Sequence, residues 1–137
     1  MTHNPNLLFV YGTLLITNNT FGAYLQSHCR LLTKGRVKGI LYDAGEYPGA
    51  IINNSGNYIY GHIYSINKPD NVLPILDDYE GISINEPLPH EYLRLLIPVE
   101  TDAGMINCWM YVYNWPVDGL KVIDGGDYLV YKSASSL

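Results

Sequence analysis

The hydrophobic pattern in the first half of the chain is mostly that of β-strands. An unbroken apolar run from Leu7 to Tyr11 is typical of a buried strand, and Gly12 interrupts it. Apolar and polar positions then alternate over residues 35–43 and again over 57–66. This alternation predicts two further strands, each with one buried face.

Two apolar segments in the second half predict a hairpin. Residues 91–100 and 105–115 flank Asp102-Ala103-Gly104, whose residue types favour a tight turn. Both faces of the second segment are largely apolar, so we predict a central strand covered on both sides. Residues 125–131 predict one more strand at an edge, followed by a tail from Ser133 to Leu137.

Two helices are predicted between the strands. Asn18-Asn19-Thr20 offers an N-cap for a helix over residues 21–32. A second helix falls within residues 67–82, where Gly81 occupies the position of a C′ glycine. Because proline breaks a helix interior, this helix is expected to start close to Pro74.

About five or six strands with two helices predict an α+β protein, built as a strongly curled sheet or a small barrel. A length of 137 residues favours one domain spanning 1–137. Hydrophobic residues make up 47% of the chain and charged residues only 15%, which argues against disorder.

The charge pattern narrows the expected partners and location. The net charge is −5 and no run of Lys or Arg occurs, so we expect no binding to nucleic acid. No apolar run reaches membrane length and the amino-terminal residues do not form a signal peptide, so we expect no membrane association. Cys29 and Cys108 form no CxxC pair and are expected to be reduced thiols of a cytoplasmic protein.

The turn Tyr11-Gly12-Thr13-Leu14 is the first candidate binding element. A glycine after a strand lets a ligand approach the backbone, and successive N–H groups can bind an anion. The plain alternative is an ordinary strand end. A second candidate is the rigid loop containing Tyr47, Pro48 and Gly49, which either lines a pocket or only turns a corner.

Glu80 is the candidate catalytic residue. Three carboxylates lie close together at 77, 78 and 80, and Glu80 follows an aromatic residue at a helix end and precedes Gly81. If its side chain turns inward among tyrosines, burial raises its pKa towards that of a general base. The alternative is that all three carboxylates are solvated. The four histidines show no metal-ligand spacing, and His62 is expected to be a hydrogen-bonded packing residue rather than a ligand.

Six segments occur in an order that resembles the γ-glutamylcyclotransferase-like (AIG2-like) family. They are FVYGTLL, GILYDAGEYPGAI, YGHIYSI, LDDYEGI, EYLRLLIPV and CWMYVYNW, and the resemblance runs from about Leu7 to Tyr128. It implies a mixed α+β fold with a small β-barrel core. His62 departs from the pattern, because the family often has a glutamate there. The spacer from Leu15 to Thr20 lacks the family's basic, glycine-bearing stretch, and both departures bear on which substrate fits.

The resemblance also implies a cavity in which Glu80 is the acid/base and Tyr92 borders the substrate. The turn from Tyr11 to Leu14 would hold the substrate, which is a small γ-glutamyl amine or peptide. Ring closure by the substrate's own amine would release 5-oxoproline, with no metal or organic cofactor. The Gly12-Thr13 N–H groups would bind either the α-carboxylate or the anionic intermediate. The alternatives are a non-catalytic protein that binds small ligands and a related lyase or amidotransferase.

Overall fold

The computed structural model describes residues 6–12, 20–45, 47–82 and 86–135. Within these ranges the chain forms seven strands and three helices. In chain order they are β1 (Leu7–Val10), α1 (Thr20–His28), β2 (Cys29–Asp43), β3 (Pro48–Ile52), β4 (Tyr58–Ile66), α2 (Pro69–Tyr79), β5 (Tyr92–Thr101), β6 (Gly104–Tyr113), β7 (Lys121–Val122) and α3 (Tyr128–Ser135).

Five strands close into a barrel in the order β2-β4-β1-β6-β5. The ring closes where β2 meets β5 in the antiparallel pair Arg36↔Glu100, and the two side chains also form an ion pair at 3.2 Å. β1 runs antiparallel to β4 but parallel to β6, so the sheet is mixed. The expected α+β fold with a small mixed barrel and flanking helices is therefore confirmed.

The hairpin of β5 and β6 has the turn that the sequence predicts. Its register begins at Thr101↔Gly104 and runs without interruption to Tyr92↔Tyr113. β6 lies between β1 and β5. Cys108 and Met110 on one of its faces are fully buried, and Tyr111 and Tyr113 on the other face are buried as well. The prediction of a central strand covered on both sides is confirmed for the part of the hairpin that β1 reaches.

The loop expected at residues 45–51 is shorter than predicted. A turn closes with the Ala44 N–H donating to the Tyr47 carbonyl, and Pro48 already opens β3, which pairs with the far end of β2. A proline is tolerated at the first position of an edge strand. β3 and the short β7 pair with the part of β2 that continues beyond the closed ring.

The first helix ends earlier than its spacing predicts. α1 ends at His28, and the residues from Cys29 to Lys38 pair with β4 as strand. Backbone pairing over this length outweighs the helical pattern that predicted a helix as far as Leu32. Leu32 is exposed. The predicted N-cap residues Asn18 and Asn19 lie outside the described residues.

The second helix begins a full turn earlier than predicted. Pro69 takes the first helical position, where a missing N–H costs nothing, and Pro74 lies inside the helix. Pro74 is exposed, so water can reach the backbone around its ring. Val72, Leu73 and Leu76 form the buried side of the helix.

The strand predicted over 125–131 is wrong, because α3 occupies most of this segment. The Asp127 carboxylate accepts the Val130 N–H at 3.1 Å, which is an N-cap interaction. Tyr128 is buried against the core while the helix continues to Ser135. The predicted tail from Ser133 therefore begins as helix.

Buried side chains form two clusters, one on each side of the barrel wall. Phe9, Ile59 and Met110 belong to the first cluster, and Leu8, Leu25 and Leu76 belong to the second, which includes α1 and α2. Among the described residues, no helix combines the length and the apolar character that a membrane span requires.

Candidate active site

A recess opens beside the end of β1, the start of β3 and the end of α2. The volume that the centre of a water molecule can occupy in it is about 30 Å³. Nine described residues line it: Phe9, Val10, Tyr11, Gly12, Tyr47, Pro48, Glu80, Tyr92 and Tyr111. None of these nine is basic, and Glu80 is the one that carries a carboxyl group.

Gly12 and Pro48 lie close together in the lining of the recess. A Cβ atom built on Gly12 would lie 2.7 Å from the Cγ atom of Pro48, so a side chain there would push the proline away. The glycine thus allows the end of β1 to lie against the start of β3. The backbone at Gly12 remains in the lining, where a ligand can approach it.

The end of α2 determines where Glu80 points. The Ile82 N–H donates to the Asp77 carbonyl at 2.9 Å, and the Gly81 N–H donates to the Asp78 carbonyl at 3.1 Å. With Gly81 at a φ of 74°, these two bonds form a Schellman motif, as the C′ glycine predicts. The backbone therefore leaves the helix at Glu80, and the Glu80 side chain stays in the recess.

The surroundings of Glu80 favour its protonated form. Burial raises the pKa of this carboxyl from its ordinary value of 4.5 to about 7, and the negative charges of Glu91 and Asp77 add to the effect. A carboxyl group with this pKa is present in both protonation states near neutral pH. It can therefore accept a proton and return it.

Three tyrosines line the recess together with Glu80, and the hydroxyl of each donates a hydrogen bond within the protein. Tyr11 donates to the backbone carbonyl of Tyr111, Tyr92 donates to the Pro48 carbonyl at 2.7 Å, and Tyr111 donates to Asp77 Oδ1 at 2.7 Å. Burial raises the pKa of all three phenols, and the charge of Glu80 raises each further. They stay protonated and fix the shape of the recess.

The residues nominated from sequence lie mostly together. Six of them line the recess: Tyr11, Gly12, Tyr47, Pro48, Glu80 and Tyr92. Gly49 does not line the recess but lies in β3 against the ring of Tyr113. A Cβ atom built on Gly49 would lie 2.7 Å from that ring. Thr13 and Leu14 lie outside the described residues.

The sequence reasoning missed Tyr111 and Glu91. Tyr111 lines the recess, and Glu91 acts on the pKa of Glu80 through its charge while burial raises its own pKa. The signal for Tyr111 was available, because the predicted turn at 102–104 fixes the hairpin register. That register places Tyr111 opposite Arg94, two positions from Tyr92.

His62 lies away from this recess and is not among the residues that line it. It is partly exposed, and its Nδ1 atom is buried without a hydrogen-bond partner. Burial lowers its pKa, as does the charge of Lys34 on the neighbouring strand, while Asp127 opposes them. The lowered pKa is consistent with a packing role, but the hydrogen bond expected for this histidine is not made at Nδ1.

The fold agrees with the comparison of this chain with known proteins. The family model described as Gamma-glutamyl cyclotransferase, AIG2-like matches residues 8–130. The gamma-glutamylcyclotransferase family protein YtfP of Escherichia coli K12 is 35% identical over 123 residues, which cover 89% of this chain and 95% of YtfP. The chain belongs to the γ-glutamylcyclotransferase, AIG2-like family.

Two solved structures show the same fold. YkqA from Bacillus subtilis superimposes with a TM-score of 0.73 at 27% identity, over 97% of this chain and 43% of YkqA. This chain therefore spans less than half the length of YkqA. An AIG2-like protein from Mus musculus gives a TM-score of 0.71 at 23% identity, over 92% of this chain and 89% of that protein.

Proposed function

We propose that the protein is an enzyme that releases 5-oxoproline from a small γ-glutamyl amine or peptide. The observation that supports this most directly is the position of Glu80, whose carboxyl group lies in the recess beside Tyr11 and Gly12 and has a pKa of about 7. Membership of the family supports the same reaction class.

Glu80 acts as both base and acid in this proposal. The substrate's α-amine is an ammonium ion near neutral pH, so it must lose a proton before it attacks the γ-carbonyl. The ionised Glu80 carboxylate takes that proton, and the free amine attacks the γ-carbonyl to close the five-membered ring. The Glu80 carboxyl group gives its proton to the leaving nitrogen as the old C–N bond breaks, and the carboxylate then takes the second proton that the ring nitrogen loses to become the lactam N–H. That proton leaves with the departing amine as its ammonium ion, which regenerates the carboxylate. The recess contributes by holding the glutamyl group in a folded conformation for ring closure.

Backbone groups take the remaining charge of the substrate. Because none of the nine lining residues is basic, the α-carboxylate or the anionic intermediate has to be held by uncharged donors. We assign this role to the N–H groups of the Gly12-Thr13 turn. The phenols of Tyr11, Tyr92 and Tyr111 already donate to protein acceptors and form the walls.

The first prediction is that Glu80→Gln abolishes turnover while the fold survives. The amide keeps the size of the side chain but cannot accept and return a proton at neutral pH, so we expect a loss of at least about a hundredfold. The measurement is 5-oxoproline released from a panel of γ-glutamyl amines and γ-glutamyl peptides. Asp78→Asn is the matched control, because Asp78 lies two residues away on the exposed side of the helix and should keep full activity.

Two results would contradict the proposal. One is an E80Q variant as active as the parent. The other is the absence of 5-oxoproline from every compound of the panel. If a compound raises the melting temperature but is recovered unchanged, the protein binds small ligands without catalysis.

A further inference from the structure

Asp77 lies one helical turn before Glu80 and is held by two side chains of the barrel. Arg94 donates to both of its carboxylate oxygens, from Nε to Oδ1 at 2.7 Å and from Nη2 to Oδ2 at 3.1 Å. Tyr111 donates to Oδ1 at 2.7 Å. A bidentate arginine with a third donor fixes both the position and the rotation of a carboxylate.

The barrel holds these two donors rigidly. Arg94 and Tyr111 are direct cross-strand partners in the register of β5 and β6. The Arg94 guanidinium also lies over the ring of Trp109, 4.4 Å from its centroid, and that tryptophan is two residues before Tyr111 on β6. Both side chains of the ion pair are about four-fifths shielded, at 22% and 18% exposure, so solvent weakens the pair little.

The same residues connect the helix end to the recess. Tyr111 lines the recess, and its backbone carbonyl accepts the hydroxyl of Tyr11. On the helix, the backbone carbonyl of Asp77 accepts the N–H groups of Glu80 and Ile82 at the Schellman turn. Side chain and backbone of Asp77 therefore join the barrel wall to the turn that carries Glu80.

We propose that Asp77, clamped by Arg94 and Tyr111, is the positioning residue that holds the Glu80 carboxyl group in the recess and sets the charge it faces. The inference rests on the proposed function for its effect on turnover. It makes a separate claim about Glu80 that needs no substrate.

The charges around Glu80 come from several elements. Asp77 lies on the same helix, and Glu91 lies in the segment before β5. The phenols of Tyr11, just after β1, of Tyr92 in β5 and of Tyr111 in β6 are affected by its charge and remain neutral. Arg94 neutralises Asp77, so changes to the two partners of this ion pair should act on Glu80 in opposite directions.

The test is the pKa of Glu80. It is measured from the NMR signal of the carboxyl carbon in protein labelled with carbon-13 glutamate, and the E80Q variant identifies that signal. Asp77→Asn removes a like charge and should lower the pKa of Glu80, by roughly one unit. Arg94→Lys loses the two-pronged contact and leaves Asp77 less neutralised, so the pKa of Glu80 should rise. A role in structure alone would not give opposite shifts.

Arg36→Lys is the matched control. Arg36 also pairs with a carboxylate, Glu100, and also stacks on an aromatic ring, that of Tyr58 at 4.1 Å, but it lies at the barrel closure. This variant should leave the Glu80 titration where it is in the parent. If D77N and R94K give the same titration as R36K, the inference is wrong.

Turnover provides a second readout. For a substrate that the parent consumes, D77N and R94K should lower kcat about tenfold and change KM less than threefold, because the bound substrate is unaffected while the proton-transfer group is misplaced. Equal kcat in both variants and the parent would overturn the inference.

If D77N or R94K fails to fold, Tyr111→Phe provides another test, because it removes one contact to Asp77. It should raise the pKa of Glu80 by a smaller amount than R94K, and no shift in this variant counts against the inference.

The proposed function and this inference fail in different ways. A parent protein that consumes no γ-glutamyl compound contradicts the function, whereas the opposite titration shifts in D77N and R94K would still support the positioning role. Active enzyme with unshifted titrations would contradict only the positioning role.

Discussion

The close approach of Pro48 to Gly12 leaves no room for a side chain at residue 12. The proline also supplies the carbonyl that accepts the Tyr92 hydroxyl. The positions of the Pro48 ring, the Pro48 carbonyl and the Tyr92 hydroxyl therefore depend on the absence of a Cβ atom at residue 12.

We expect Gly12→Ala to displace Pro48 and to reduce both stability and turnover. The overpacking should cost about 1–3 kcal/mol of unfolding free energy, measured by urea denaturation, and kcat/KM should fall because the recess changes shape. Gly49→Ala is the matched control, since its Cβ would meet the ring of Tyr113 at the same 2.7 Å but outside the recess lining. G49A should lose stability with little loss of kcat/KM; an equal loss in both variants would argue against a special role for Gly12.

Single residues of the site differ in how far the sequence reveals them. The local patterns at Glu80 and Gly12, a helix end followed by glycine and a strand end containing glycine, make both residues candidates but leave the plain alternatives open. The resemblance to the family in the order of the six segments decided between the alternatives. Glu91 could not be nominated, because its influence depends on a distance between two chain segments that no local pattern encodes. The bidentate clamp on Asp77 was hidden for the same reason.

At the scale of elements, the last turn of α2 matters most for the site. Its Schellman motif needs a residue with positive φ at position 81, and glycine adopts this conformation without strain. Because the motif directs the backbone away just after Glu80, a change at its glycine should reach the recess.

Gly81→Ala should cost about 1–2 kcal/mol of stability, because alanine is strained at a φ of 74°. Gly56 is the matched control: its φ is 95°, nothing lies within 4 Å of its Cβ position, and it is in the turn before β4. G56A and G81A should lose similar melting temperature, but only G81A should lower kcat. Equal activity of the two variants would show that the turn does not position Glu80.

The elements that the sequence predicted well are those whose pattern matches their surroundings. Over 35–43, Val37 and Leu41 are buried and Arg36 and Lys38 are exposed, as the alternation requires. The segment at 125–131 failed because tyrosine and valine favour strands, whereas the Asp127 cap and the burial of Tyr128 favour a helix. The predicted end of the first helix at residue 32 was wrong, because the strand that starts after His28 is stabilised by long-range pairing with β4.

At the scale of the whole molecule, Glu80 makes the stability depend on pH. Its pKa is about 7 in the folded protein and 4.5 ordinarily, so folding favours the protonated form. The resulting stabilisation is fully present below pH 4.5 and is lost as the pH rises through about 7. At most, the loss amounts to roughly 3 kcal/mol.

The measurement that checks this compares the free energy of urea unfolding of the parent and of E80Q between about pH 4 and about pH 8. All other titrating groups are shared, so the difference in unfolding free energy isolates Glu80. E80Q should gain stability relative to the parent as the pH rises, by up to roughly 3 kcal/mol. A difference that stays constant with pH would mean that Glu80 is not held in a buried environment.

The position of β3 outside the closed ring has a consequence for how this family can diversify. β3 pairs with the end of β2 beyond the barrel, yet it brings Pro48 to the recess. Insertions or exchanges in the short connection at 44–47 can therefore reshape the entrance while the five-strand framework keeps its hydrogen bonds. Sequence changes in this appendage can therefore alter which molecules the recess accepts while the closed ring keeps its strand pairing.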